Sequence, residues 1–399
     1  HVSSRRQRQM CIRDSGNSND VGAPALSRRD FYRFSGGFNN LNSRAGTSIN
    51  ISSDLAGIGS LQNNRAKLIE SEFGAANFSV NNDKGLEISG FSVFTTVTND
   101  IEEQIKRTYN ATEAVENTSE YSLQKSTLEL YKFSLEYEPS EIFQLEYNIL
   151  FNSSDQSEVN DLTSIYGRLN NRVEENLDLT RTQTPKALNQ ELKVYYTLNE
   201  DHIFSFEAQH LDQTEDPIGR AVRDRNPFLS LIPFDSNVQR FDITQNRFIE
   251  TQKLEAKLDY FYLLNDQSNI NLSIGFTNVA QNYLSDFNQT LDDGTTKSFD
   301  DEQFNNNVDF SFKDLYFALN YRIRTGIFTI DPGLTLHFYD NKNTQLGQTF
   351  AKDISDIRPN LRVNMQFKKN ENLRFTYRKN TQFTDCLLYT SPSPRDSLS

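Results

Sequence analysis

The stretch KLEAKLDYFYLLNDQSNINLSIGFTNV, residues 253–279, holds two amphipathic runs around a short polar turn. In the first run apolar and charged residues alternate; the apolar ones are Leu254, Ala256, Leu258, Tyr260 and Tyr262, and the charged ones are Lys253, Glu255, Lys257 and Asp259. A period of two places successive side chains on opposite faces of a β-strand. The Asn, Asp and Ser residues between the runs favour a tight turn. The stretch therefore predicts a β-hairpin with one apolar face and one charged face.

The same pattern recurs from residue 73 onwards. Six pairs of runs, each joined by a turn of about two to five residues, predict twelve strands. The pairs are 73–80 with 86–97, 127–137 with 142–151, 191–198 with 203–211, 253–264 with 270–279, 315–324 with 327–339, and 360–367 with 373–378. A thirteenth strand is possible at Thr47–Ser52.

The connections between the hairpins are far longer than the turns within them. They cover 98–126, 152–190, 212–252, 280–307 and 340–359. A compact soluble domain rarely contains even one irregular loop longer than about 15 residues. Short periplasmic turns that alternate with long extracellular loops are typical of an outer-membrane barrel. We predict an all-β fold, an antiparallel up-and-down transmembrane β-barrel that is incomplete, with about 12–14 strands and long extracellular loops.

The charged face argues against a soluble β-sandwich, because burying an unpaired charge costs several kcal/mol. In a membrane barrel the apolar face contacts lipid and the charged face lines a wet lumen. We expect one set of residues to point outward and to be exposed in the isolated chain, namely Leu145, Tyr147, Leu258, Leu319 and Phe375. We expect a second set to point inward, namely Glu146, Lys257, Asn320 and Arg374.

Both ends of the 399-residue chain look foreign. Residues 1–15, HVSSRRQRQMCIRDS, and the end from Cys386 resemble the translated adapters of transposase-based DNA library preparation. We expect 1–15 and 386–399 to be non-native, and 16–385 to be part of an outer-membrane barrel from a longer gene. Without these ends the 41 basic residues become 36, the 54 acidic residues become 52, and the net charge changes from −13 to −16. Both Cys are lost as well, so thiolate chemistry is not expected.

The composition and motifs exclude several classes of function. An acidic chain is a poor nucleic-acid binder, because phosphate contacts need clustered Lys and Arg. Neither a phosphate-binding loop nor a dinucleotide fingerprint is present. The native histidines, His202, His210 and His337, are not spaced as metal ligands. We interpret His210 and His337 as surface or interfacial residues, because no Ser pairs with either. The sequence thus predicts no catalytic residue, no metal site and no cofactor.

Five arginines fall on the polar faces of the late strands. They are Arg322, Arg324, Arg362, Arg374 and Arg378. If the strands are neighbours, these arginines form a basic ladder on the lumen wall. Such a ladder would contact the acidic residues of a plug or line the path of an anionic solute. The alternative is that each arginine pairs with a nearby acid as ordinary wall structure.

Several segments of the sequence carry a resemblance to a known family. They are SGGFNNLNSRAGTSINIS at 35–52, NNRAKLIESEFGAANFSV at 63–80, KGLEISGF at 84–91, YYTLNEDHIFSFEAQHL at 195–211 with EDP at 215–217, QKLEAKLDYFYLLNDQSNINLSIG at 252–275 and FKKNENLRFTY at 367–377. These segments resemble the barrel part of TonB-dependent outer-membrane receptors of the Bacteroidota. In that family a barrel of about 22 strands is closed by a plug. An inner-membrane TonB complex acts on the plug to import siderophores, cobalamin, glycans or peptides.

The resemblance implies nutrient import without catalysis. The implied partners are outer-membrane lipid, lipopolysaccharide and the TonB energy-transducing complex, which would act through a plug that residues 16–72 do not show. Three alternatives stay open. A passive porin or fatty-acid-type channel would be favoured by a full gene without a plug, an outer-membrane enzyme would need a converging Ser and His, and a surface β adhesin would pack its strands into a dry sandwich.

Overall fold

The computed structural model describes residues 45, 47–50, 66–109, 114–168, 171–226, 234–299, 306–345, 347–368 and 371–384. The predicted foreign segments 1–15 and 386–399 lie outside these ranges. Within them the chain forms β-strands, and no helix is both long and apolar enough to cross a membrane. The strands are β1 (Thr47–Asn50), β2 (Ala66–Asn81), β3 (Leu86–Tyr109), β4 (Ala114–Ser140), β5 (Phe143–Arg168), β6 (Asn171–Gln183), β7 (Lys186–Asn199), β8 (His202–Glu215), β9 (Ile218–Arg223), β10 (Phe241–Asn265), β11 (Ser268–Thr290), β12 (Thr296–Ser298), β13 (Asn306–Thr325), β14 (Phe328–Gln345), β15 (Gln348–Lys368), β16 (Glu371–Arg378) and β17 (Thr381–Thr384).

Strands β2 to β16 form one 15-stranded antiparallel sheet, which confirms the all-β antiparallel prediction. Twelve of these strands follow one another as a meander, in the order β2-β3-β4-β5-β7-β8-β10-β11-β13-β14-β15-β16. They are the twelve strands that the hairpin pattern predicts. Strands β6, β9 and β12 lie beside the far ends of β5, β10 and β11. We call that end of the sheet the long-hairpin end and the opposite end, with turns such as 266–267, the short-turn end.

The predicted irregular loops at 98–126, 152–190, 212–252, 280–307 and 340–359 are corrected by the structure, because most of their described residues are paired strand. Strands β3 and β4 stay paired out to Tyr109 and Ala114. Strand β5 continues to Arg168, and β6 pairs back along it. The apolar side chains that mark a strand in the sequence thin out along these extensions. On β11, for example, Asn278, Asn282 and Asp286 replace them on one face while the backbone pairing continues.

One row of directly opposed residues crosses ten strands and is apolar or aromatic at every position. It consists of Leu86, Tyr137, Leu145, Val194, Phe206, Leu258, Ile274, Phe317, Leu336 and Ile357. Residues directly opposite each other in an antiparallel sheet lie on the same face. Leu258 is 43% exposed and Phe317 is 46% exposed. We call this face the outer face, and it presents apolar side chains to the surroundings.

The adjacent row, one residue away along each strand, lies on the opposite face and is mostly charged. It consists of Glu87, Glu136, Glu146, Lys193, Glu207, Lys257, Gly275, Tyr316, His337 and Asp356, and we call it the charged row. Many side chains on this inner face are buried, such as Glu255 at 2% and His337 at 0% exposure. Because side chains crowd together on the concave side of a curved sheet, this burial indicates that the sheet curves around its inner face.

The predicted directions of the side chains can be compared with these two faces. Leu258, Leu319 and Phe375 lie on the outer face and are 43%, 49% and 55% exposed. Leu145 and Tyr147 also lie on the outer face but are half-buried by neighbouring side chains. Four residues lie on the inner face, namely Glu146, Lys257, Asn320 and Arg374. Of these, Arg374 is exposed because β16 is the last strand of the sheet.

The possible thirteenth strand forms as β1, but it does not join the large sheet. It pairs in parallel with β17, and Thr47 lies opposite Thr381. Phe383 of β17 packs on an apolar patch of the inner face, with its ring centroid 4.6 Å from that of Phe312 and 5.0 Å from that of Tyr339. The expectation of a thirteenth meander strand is therefore corrected, because β1 and β17 form a separate pair against the inner face.

The strand extensions at the long-hairpin end are joined by a charged cluster. The Arg240 guanidinium contacts Asp178 of β6 at 2.6 Å and Asp224, just beyond β9, at 2.9 Å. The backbone N–H of Asn176 donates to the Asp224 carboxylate over 2.7 Å. This hydrogen bond and the Arg240 charge hold the pKa of Asp224 below its usual range. The cluster therefore links β6, β9 and the segment before β10 while Asp224 is ionised.

Glycine positions let large side chains lie across neighbouring strands. Tyr316 is directly opposite Gly275, and a Cβ atom at Gly275 would come within 2.3 Å of the Tyr316 ring. We expect Gly275→Val to lower the free energy of unfolding by about 1–3 kcal/mol, because the buried ring must move. Chemical unfolding of the full chain measures this loss. Gly219→Val is the control, since nothing lies within 4 Å of its added Cβ. Equal losses in the two variants would contradict the packing argument.

Candidate functional site

The charged row is partly neutralised by lysine side chains on the inner face. The Lys193 ammonium lies 3.6 Å from the Glu146 carboxylate, on the neighbouring strand β5. The Lys257 ammonium lies 2.7 Å from Asp259 and 3.7 Å from Glu207 of β8. The Lys193–Glu146 and Lys257–Glu207 contacts connect adjacent strands at the same level of the sheet, whereas Lys257 and Asp259 lie on the same strand. The middle of the inner face is therefore a wall of alternating charges.

His337 is one of the fully buried titratable positions of this wall. Its ring is fully buried, as is Asp314, and its Nδ1 atom lies 3.0 Å from Asp314 Oδ1 and 3.1 Å from Oδ2. Its Nε2 atom lies 2.9 Å from the Ala45 carbonyl oxygen. Both ring nitrogens thus face acceptors, and both can donate at once when the ring carries two protons. The pair joins the wall of the sheet to the segment that precedes β1.

The surroundings of His337 are aromatic and charged. The His337 ring stacks on Tyr339 at a centroid distance of 5.2 Å and lies 5.4 Å from Tyr316. The Arg358 guanidinium lies over the Tyr339 ring, 5.4 Å from the ring centroid. Its Nε atom donates a hydrogen bond to Asp356 over 3.0 Å. Asp356 lies opposite His337 on β15. Acidic, basic and aromatic groups from three adjacent strands therefore surround the imidazole.

The interpretation of His337 as a surface or interfacial residue was wrong, because it is 0% exposed on the inner face. His210 lies on the outer face opposite Leu254 and is half-buried. The sequence did contain a signal for the position of His337. His337 and Asp314 each alternate with outer-face apolar residues along their strands, and this alternation places both side chains on the inner face. Within the described residues no group of three His, Cys, Asp or Glu side chains converges in a geometry that could hold a metal ion.

The five arginines of the predicted ladder all lie on the inner face near the short-turn end, on β13, β15 and β16. The structure brings three of them together. Arg322, Arg362 and Arg378 line one cavity of about 310 Å³, whereas Arg324 and Arg374 do not line it. We call this cavity the arginine pocket. The remaining lining side chains on the inner face are Phe261, Asn269, Asn271, Asn320, Asp331, Asn360 and Thr376.

Only part of the positive charge in the arginine pocket is neutralised there. Arg322 Nε donates to Asp331 Oδ1 over 2.6 Å, and Asp331 lies directly opposite Arg362. Arg362 and Arg378 have no ion-pair partner within the described part of the chain. Three guanidinium groups against one carboxylate give the pocket a local excess of positive charge. The alternative interpretation of the ladder, in which each arginine pairs with a nearby acid, therefore does not apply to Arg362 and Arg378.

No family model matches the chain, and no curated protein matches its sequence. Solved structures of similar shape include the unliganded ferric citrate transporter FecA, with 8% identity, a TM-score of 0.42, and coverage of 79% of this chain and 45% of that one. The translocator domain of autotransporter NalP from Neisseria meningitidis has 6% identity and a TM-score of 0.23, covering 75% and 84%. A Pseudomonas aeruginosa FadL homologue has 9% identity and a TM-score of 0.25, covering 74% and 86%. The chain thus spans less than half the length of FecA, and likenesses this remote assign no function.

Proposed function

We propose that this chain is part of an outer-membrane β-barrel that lets a solute cross the membrane along its inner face. The observation that carries the proposal is the inverted distribution of side chains. The outer row from Leu86 to Ile357 is apolar on ten strands, while the adjacent charged row is polar on nearly all of them. A soluble protein places these two faces the other way round, since exposed apolar area is unfavourable in water.

The dimensions of the apolar band agree with a bilayer. On β10 the outer-face residues from Leu254 to Tyr262 are apolar or aromatic. At about 3.3 Å per residue this run is roughly 26 Å long along the strand. With the roughly 40° tilt of outer-membrane strands it spans about 20 Å of height, and the apolar band of such barrels is about 25 Å tall. Polar residues become more frequent beyond it towards the long-hairpin end, as at Asn278 and Asn282 on β11, although Leu284 of the same face is still exposed. The long-hairpin end then faces the cell exterior and the short-turn end faces the periplasm.

The finer proposal is the barrel portion of a TonB-dependent receptor, and it rests on the resemblance of the sequence phrases. In that case the TonB complex would drive import through a plug, and lipopolysaccharide would surround the extensions. The basic ladder would contact the plug or the passing solute. Uptake that stops when the inner membrane is de-energised supports this proposal, whereas uptake that continues supports a passive channel.

Single tryptophans test the membrane proposal directly, because the chain contains no Trp. Phe317 and Tyr316 are adjacent aromatic residues on opposite faces of β13. We expect the fluorescence of Phe317→Trp in lipid vesicles to be quenched strongly by brominated acyl chains. We expect that of Tyr316→Trp to be quenched little, because the inner face does not contact lipid. Equal quenching in both variants, or none in Phe317→Trp, would overturn the proposal, and circular dichroism checks that both variants keep their β-structure.

A further inference from the structure

Three arginines and one carboxylate line the arginine pocket, and the other polar side chains on its inner face are amides and a hydroxyl. Its charged side chains come from four successive strands, with Arg322 on β13, Asp331 on β14, Arg362 on β15 and Arg378 on β16. Neighbouring strands are about 4.8 Å apart, so guanidinium groups two strands apart can reach one ligand between them. Arg322 uses its Nε–H for Asp331, which leaves the remaining N–H groups of its fork available.

The amide side chains of the pocket add a further donor. The Asn271 Oδ1 atom accepts a hydrogen bond from Ser273, but the buried Asn271 Nδ2 atom has no partner within the described residues. A buried amide N–H without an acceptor is costly, on the order of 1–3 kcal/mol. An oxygen of a bound ligand would satisfy it. Arg362 and Arg378 are exposed and have no ion-pair partner within the described residues, so their N–H groups are available to the same kind of group.

The floor of the pocket depends on a glycine. Asn320 and Asn360 reach towards each other across Gly333, and the Asn360 Nδ2 atom lies 3.4 Å from Asn320 Oδ1. A Cβ atom at Gly333 would come within 2.1 Å of Asn320 Oδ1 and 2.5 Å of Asn360 Nδ2. The backbone between the arginines therefore has to be glycine for this amide pair to lie flat against the sheet, which leaves the space above it open.

We propose that the arginine pocket binds an anionic solute through a carboxylate or phosphate group, and so sets the substrate class of the channel. The inference rests on the proposed function, in which solutes pass along the inner face. A planar guanidinium fork matches the two oxygens of a carboxylate or phosphate, and the pair is strengthened by its charges. The cavity of about 310 Å³ lies within the size range of small-ligand pockets. Because the pocket lies at the short-turn end, the anion site would be at the periplasmic end of the solute path.

Isothermal titration calorimetry of the full chain in detergent micelles at low ionic strength tests this site, with inorganic phosphate and succinate as the probes and glucose as the neutral control. We expect at least one of the two anions to bind and glucose not to bind. The probe that binds more tightly identifies the acidic group. Failure of both anions to bind would overturn the proposal.

Two double variants of the ladder give a matched comparison. We expect Arg362→Ala with Arg378→Ala to weaken anion binding roughly tenfold or more, because two charged hydrogen-bond donors are lost. We expect Arg324→Ala with Arg374→Ala to change it less than about twofold, because these arginines lie outside the pocket although they carry the same charge. Equal weakening by both pairs would show a diffuse positive field instead of a site. Arg362→Lys with Arg378→Lys should give an intermediate affinity, since the charge stays and the fork is lost.

The anion-binding experiment and the lipid-quenching experiment test two different proposals, and each can fail without the other. Anion binding in micelles together with no lipid quenching at Phe317→Trp would keep the site and reject the membrane proposal. Lipid quenching together with no anion binding would keep the membrane proposal and reject the site.

Discussion

Replacing His337 with alanine is expected to lower the free energy of unfolding by about 3–5 kcal/mol. His337 and Asp314 are both completely buried and lie 3.0 Å apart. Removing the imidazole leaves the Asp314 carboxylate without its partner and the Ala45 carbonyl without its donor. Ring contacts to Tyr339 and Tyr316 are lost as well. Denaturant unfolding of the full chain, followed by circular dichroism, measures the change.

Two further variants show whether the loss comes from the buried pair. His210→Ala removes a half-buried imidazole from the outer face and should cost less than about 1 kcal/mol. His337→Leu combined with Asp314→Leu replaces both buried polar side chains with apolar ones, and should be more stable than His337→Ala because no uncompensated carboxylate remains. If His337→Ala unfolds like His210→Ala, the pair does not stabilise the sheet.

The hairpin pattern predicts the twelve meander strands because one face of each strand is apolar where it crosses the band. The prediction fails beyond that band. On β11 the outer face changes from Leu272 and Ile274 to Asn278 and Asn282, while the pairing with β10 continues without a shift. The alternation of apolar and polar residues therefore shows where the outer face is apolar. It does not show where a strand ends, because the backbone hydrogen bonds continue beyond the apolar residues.

The alternation of side chains along a strand predicts which face each side chain occupies. It does not predict which side chains of neighbouring strands are in contact. All five ladder arginines lie on the inner face. Register decides the rest, since Arg362 lies opposite Asp331 while Arg374 lies opposite Asn364. The pairing of β1 with β17 is beyond local patterns as well, because it joins Thr47 to Thr381 across most of the chain.

Introducing an arginine at Leu319 is expected to prevent stable insertion of the chain into lipid vesicles, at a cost of about 2–4 kcal/mol. Leu319 is 49% exposed on the outer face of β13 and lies among the apolar residues Leu315, Phe317 and Ile323 of the same face.

The guanidinium at position 319 would have to enter hydrocarbon, which has no water to solvate it. Vesicle flotation, combined with denaturant titration of the inserted fraction, measures the loss. Asn282→Arg is the matched control, because Asn282 lies on the same face but beyond the apolar band, and it should cost less than about 1 kcal/mol. Leu319→Ala separates the charge from the loss of side-chain volume. If Leu319→Arg and Asn282→Arg insert equally well, lipid does not contact the outer face. The apolar side chains of that face must then be covered by another protein surface.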